Sequence, residues 1–129
     1  PAAVALRTLE LMEERRIVDH VKSVSTLFTT RISGLNKFNC VGNTRAVGLI
    51  GAMEFVAVPG SRIKIDPEKK FSVAAQKIIQ DAGVILRSLP GDGIGFCPPL
   101  IITQNQINQM FDIIEGVMPR LDALAADMM

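Results

Sequence analysis

The segment GVILRSLPGDGIGFCPPLIIT, Gly83 to Thr103, limits the fold more than any other part of the chain. Val84-Ile-Leu-Arg87 is a short apolar run of strand length, and Pro90-Gly-Asp-Gly93 is a tight connection. Ile94 to Cys97 then runs back as a second strand. Pro98–Pro99 ends the pairing, because proline has no N–H to offer a ladder. Thr103 followed by Gln106 forms a capping box and opens a helix. A glycine-rich hairpin feeding directly into a helix requires antiparallel sheet and helix in one layered unit.

The flanking segments supply the rest of those layers. Leu6, Leu9, Ile17, Val21, Val24, Phe28 and Ile32 recur at spacings of mostly three and four, predicting one long helix over Ala2–Leu35 with Pro1 suited to its first turn and Gly34 as its stop. At ~1.5 Å per residue that helix is about 50 Å long, and its apolar stripe calls for more protein than the chain supplies. Val41 to Val58 reads as strand, with Gly48 and Gly51 marking a bulge or close backbone contact. Asp66–Pro67 offers a cap and first-turn proline. Phe71, Ala74, Ala75, Ile78, Ile79 and Ala82 then form one helix face, closed by Gly83. In the last helix Ile107, Met110, Phe111, Ile114, Val117 and Leu121 point inward, with a kink or break expected at Pro119. The expected fold is α+β: a small antiparallel sheet covered by helices on one face, with a long N-terminal helix, and residues 1–129 forming a single domain.

Charge and aromatic content narrow the function classes. Charged residues are 21% and nearly balanced, net +1, so the basic excess of a nucleic-acid surface is missing. Phe is the only aromatic type, which leaves few base-stacking platforms. Val47 to Val58, the longest apolar window, holds two glycines and Glu54 and is too short to span a bilayer. No signal peptide is visible, and the cysteine usage fits a cytoplasmic protein. Cys40 and Cys97 match no zinc pattern and read as buried or half-buried free thiols. The lone His20, beside Asp19 and Lys22, reads as a solvated helix-face residue.

Few residues carry chemistry. Gly91, Gly93 and Gly95 could be read as a phosphate cradle, but they lead into a strand and not into a helix N-terminus, so hairpin geometry is the stronger reading. Asp92 suits the turn itself. Arg87 follows an apolar strand directly. Its planar guanidinium can clamp a carboxylate in a cleft, or simply extend into solvent; residue type alone favours the second. Arg45 suits a structural or domain-joint role. No nucleophile–base set, carboxylate pair or metal-ligand cluster is present in the pattern, so catalytic, cofactor-binding and metal residues are all expected to be none.

Three ordered blocks then carry a resemblance. PAAVALRTLELMEERRIVDHV resembles the helix that follows a Gly-His-Pro motif in the class III (fold-type I) pyridoxal-phosphate aminotransferases. VGNTRAVGLIGAMEFV is similar to that family's Val-Gly-x-x-Arg-Gly-x-Gly-Leu-x-x-x-x-Glu strand, with Ala46 in place of the usual glycine. GVILRSLPGDGIGFCPPLIIT with QNQINQMFDIIEGV resembles its closing hairpin and final helix, most of all in the omega-amino-acid:pyruvate type.

The resemblance implies the small C-terminal domain of a larger enzyme, a homodimer that uses pyridoxal phosphate (PLP) to exchange an amino group between an amine or omega-amino acid and a 2-oxo acid. It implies that the cofactor's lysine and phosphate-binding threonine lie upstream, that none of Lys22, Lys37, Lys64, Lys69, Lys70 and Lys77 holds the cofactor, and that the chain alone binds none and is inactive. By position Arg87 matches the arginine that holds the substrate carboxylate. Gly95 stands where members acting on glutamate-like donors often carry an arginine, which argues against an ornithine- or 4-aminobutyrate-type site. The alternative from another class is a stand-alone regulatory or interaction module that binds a partner through the long helix.

Overall fold

Phe, Ile and Met at alternate strand positions decide which face of the sheet is covered. In the computed structural model, which describes residues 1–129, strands β1 (Val41–Val47), β2 (Ile50–Phe55), β3 (Arg87–Leu89) and β4 (Gly93–Phe96) pair antiparallel in the order β1-β2-β4-β3. Met53 and Phe55 on β2 and Ile94 and Phe96 on β4 are buried to within 1%. They meet helices α2 (Ile17–Gly34), α3 (Phe71–Asp81) and α4 (Gln104–Asp127) on that face alone, the expected α+β layering.

Aromatic edges join the layers. Phe28 of α2 lies 5.7 Å from Phe111 of α4 and 6.4 Å from Phe96, and Phe96 stacks on Phe111 at 5.8 Å. Phe55 meets Phe71 edge-on at 4.8 Å, seating the start of α3 on the sheet. Outside the core, Arg31 of α2 lies over the Phe111 ring and bonds Asn108 and Asp112, tying α2 to α4.

The long N-terminal helical run is present but is divided. Helix α1 (Ala2–Glu14) and α2 are separated at Arg15–Arg16, where Arg16 takes a left-handed conformation (φ 49°, ψ 47°). No α1 residue is buried, whereas Ile17, Val24, Phe28 and Ile32 of α2 are. The apolar spacing continues through the break, which is why periodicity reads one helix.

The expected strand over Val41–Val58 is a hairpin. Gly48 (φ +59°) turns the chain, Leu49 is buried at the tip, and Val47 pairs with Ile50. Gly51 does provide a close backbone contact: a Cβ there would lie 2.6 Å from Ile32 Cδ1, so the glycine lets α2 sit down on the sheet.

Three boundaries differ from expectation. Asp66 accepts the Glu68 N–H, but it caps a single 3₁₀ turn, and α3 begins only after Lys70 in a left-handed conformation. Strand β3 begins at Arg87 instead of ending there. Helix α4 opens with the Thr103–Gln106 capping box and runs unbroken through Pro119. Proline at 119 withdraws the donor that the Glu115 carbonyl would use, and burial of Ile114, Met118, Leu121 and Ala125 on either side keeps the helix together. Met118, not Val117, is the fully buried residue of that turn.

Candidate functional site

The other face of the sheet carries no helix. Pairing aligns Arg45 with Ala52, Ala52 with Gly95 and Gly95 with Arg87, so these four residues form one row across all four strands. Three strand spacings put its ends about 14 Å apart. Both ends are arginine and the floor between them is a methyl group and a bare backbone. Val47, Ile50, Leu89, Phe96 and Cys97 are among the further residues lining a hollow of about 410 Å³ over this row.

The two arginines differ in their partners. Arg45 Nη1 donates to Glu54 Oε1 at 2.5 Å, a diagonal cross-strand pair, and Lys64 Nζ lies 3.5 Å from the other Glu54 oxygen. The bond from Arg45, aided by Lys64, holds the Glu54 carboxyl below its ordinary range. Arg45, expected in a structural or domain-joint role, thus has its partner within one hairpin. Arg87 has no hydrogen-bond or ion-pair partner and is exposed, and it borders hollows on three sides. Its position on an edge strand at the rim of the apolar hollow leaves the planar fork open to an incoming carboxylate.

The hairpin carrying Arg87 is anchored at its tip. Asp92 is buried in a left-handed conformation (φ +60°). Its Oδ1 accepts the Ser72 N–H at 3.2 Å and its backbone carbonyl accepts the Phe55 N–H at 2.9 Å. Lys64 Nζ donates to the Gly91 carbonyl at 3.2 Å. Asp92 thus does more than the turn chemistry read from its type: it joins the hairpin to α3 and β2. Nothing in the sequence signals that long-range role. The glycines around it act as hairpin geometry, with Gly91 at φ +81°.

The remaining candidates fall elsewhere. His20 is half-buried, and its Nε2 lies 2.8 Å from the Ile102 carbonyl, so it bridges α2 to the segment before α4 and is not a solvated face residue. Cys40 is buried; burial, reinforced by Asp122, pushes its thiol far up. Cys97 is exposed at the hollow's edge, contrary to the expected burial, because it is the outward residue following Phe96.

Comparison with known proteins gives this face its context. The chain matches the family model described as aminotransferase class-III over residues 1–118, and it belongs to that family. It is 31% identical over 129 residues to an uncharacterized aminotransferase of Sinorhizobium fredii, covering 98% of this chain and 28% of the relative. It is 29% identical over 126 residues to a mitochondrial gamma-aminobutyrate transaminase of Oryza sativa, covering 98% of this chain and 24% of the relative. Its fold superposes on the crystal structure of an omega-transferase from Vibrio fluvialis with a TM-score of 0.90 at 26% identity, covering 97% of this chain and 30% of that one. The chain thus spans less than a third of the relatives it matches.

PLP, implied by the family, calls for a lysine held in an enclosed site, and no lysine here is enclosed. All six lysines are exposed, and four of them are engaged: Lys37 with Glu115, Lys64 with Glu54, Lys69 with the Met128 carbonyl and Lys77 with Asp81. No three His, Cys, Asp or Glu side chains cluster to hold a metal ion, and no helix is long and apolar enough to cross a membrane.

Proposed function

We propose that this chain is the small C-terminal domain of a class III transaminase, and that it contributes one wall of the active site with Arg87 as the substrate-carboxylate clamp. The parent enzyme exchanges an amino group between an amine or omega-amino acid and a 2-oxo acid, as a homodimer. PLP, held by the rest of the parent, supplies the electron sink for that exchange. The chain alone binds no cofactor and is inactive. Its own task is to bind and orient. The guanidinium pairs with the carboxylate through two parallel N–H···O bonds, and the apolar lining excludes the water that would compete for them.

One observation carries this reading: of the two arginines in the row across the open face of the sheet, Arg87 is the one that no carboxylate of the chain pairs with. The same row speaks to the substrate. Gly95 offers no cation and Arg45 is held by Glu54, so the hollow presents one free positive group and accommodates one carboxylate. The rice relative's name includes gamma-aminobutyrate, yet its 29% identity does not choose a substrate for this chain.

The test is steady-state kinetics of the complete enzyme. Arg87→Ala should lower kcat/KM for carboxylate-bearing substrates by about 10- to 100-fold, the value of a charge-assisted pair, and leave simple amines within a factor of a few. Equal losses on both classes would remove the clamp role.

A further inference from the structure

Gly95 has no side chain, and Leu89 occupies the space above it. A Cβ at position 95 would lie 3.3 and 3.4 Å from the two Leu89 methyl carbons and 3.5 Å from its Cγ. Leu89 pairs with Gly93, whereas Gly95 pairs with Arg87, so the leucine leans one pair back along the hairpin toward the arginine. Its half-buried isobutyl group therefore stands on the Arg45–Ala52–Gly95–Arg87 row, between the free guanidinium and the floor at Ala52. The rest of the hollow's lining is largely apolar, Val47 and Ile50 among it, and its other cation, Arg45, is paired with Glu54.

We propose that Leu89, seated on the bare backbone of Gly95, is a specificity-determining residue: an apolar wall that sets how long a monocarboxylate can extend from Arg87. The proposal rests on Arg87 as the carboxylate clamp. It makes two substitutions act in opposite directions. Leu89→Ala removes the wall and opens the row toward Ala52. Gly95→Ala adds a Cβ tighter than ordinary contact, so the leucine tip must rise from β4 by a few tenths of an ångström into the substrate's path.

The experiment measures binding of straight-chain monocarboxylates, propanoate to octanoate, to the complete enzyme by calorimetry. With the unsubstituted enzyme, affinity should rise about fourfold per methylene, the ratio equivalent to about 0.8 kcal/mol, and level off where the chain meets the wall. Leu89→Ala should move that levelling point to a longer acid, by about one or two methylenes, and Gly95→Ala should move it to a shorter one. Leu89→Phe, which leaves Gly95 in place, repeats the shortening arm should Gly95→Ala fold poorly. A levelling point unmoved by these changes, or moved the same way by both, overturns the wall. Arg87→Ala should weaken every member of the series about equally. If it weakens none, the clamp itself fails and the proposal with it; if it weakens all while the Leu89 and Gly95 changes do nothing, the wall alone fails.

Discussion

Arg45 and Arg87 sit at opposite ends of one row of the sheet, and a single neighbour makes one of them structural and the other available. Glu54 consumes the charge of Arg45, and Arg45 in return keeps the Glu54 carboxyl ionised to lower pH than usual. A depressed carboxyl contributes stability that is fully present above its unfolded value and is lost as pH falls through the folded one. Replacing Arg45 by methionine should therefore bring the Glu54 titration, followed by carboxyl NMR, back up toward its ordinary 4.5, and should flatten the corresponding part of the acid-unfolding profile. Asp92 makes a second residue-scale prediction. Asp92→Ala loses the Ser72 bond and places a Cβ-only side chain at φ +60°, at a cost of about 2 kcal/mol in denaturant unfolding, while Asp92→Asn should cost well under half of that. The sequence shows the residue types at both sites. It does not show that Glu54 lies diagonally across from Arg45, since that depends on the register, nor that Asp92 reaches α3, since the contact spans 20 positions.

At the scale of elements, local signals were legible where a single residue type decides the geometry. The Thr103–Gln106 capping box, the Pro90–Gly93 turn and the Phe71–Ile79 helix face all take the form that their spacing dictates. Three features were not legible. The Gly48 turn between β1 and β2 lacks the usual paired turn residues, so the hairpin reads as one interrupted strand. The α1–α2 break falls on two arginines, which are good helix formers. Pro119 is tolerated because flanking buried residues hold α4 against the sheet side of the core, an effect of tertiary packing that no local rule contains. Pro119→Ala returns a donor to the Glu115 carbonyl and should raise the unfolding midpoint, by an amount equivalent to about 1 kcal/mol or more. Removing residues 2–14 should leave the stability of the remainder little changed, because α1 has no fully buried residue and only Leu11 and Met12 are half-buried; a loss comparable to a core truncation would show a packing role for α1 that the structure lacks.

At the scale of the molecule, one face of the sheet carries the core and the other carries the candidate site. The covered face reads out of the sequence because its residues are Met, Phe and Ile at alternate positions. The open face does not read as a site, because its meaning comes from a row of four residues drawn from four strands, two of them small. The chain spans less than a third of its relatives, and under the proposed function this open face meets substrate and the cofactor-bearing part of the parent. Stoichiometric PLP should accordingly give this chain alone no saturable internal-aldimine absorbance band, as distinct from the weak adducts that any exposed lysine forms with excess cofactor. The most direct measurement is a crystal structure of the complete enzyme with an unreactive substrate-like carboxylate bound. Both carboxylate oxygens should lie about 2.7–2.9 Å from the Arg87 guanidinium, over the hollow floored by Ala52 and Gly95. A carboxylate held by another group, with Arg87 directed into solvent, would contradict the clamp role.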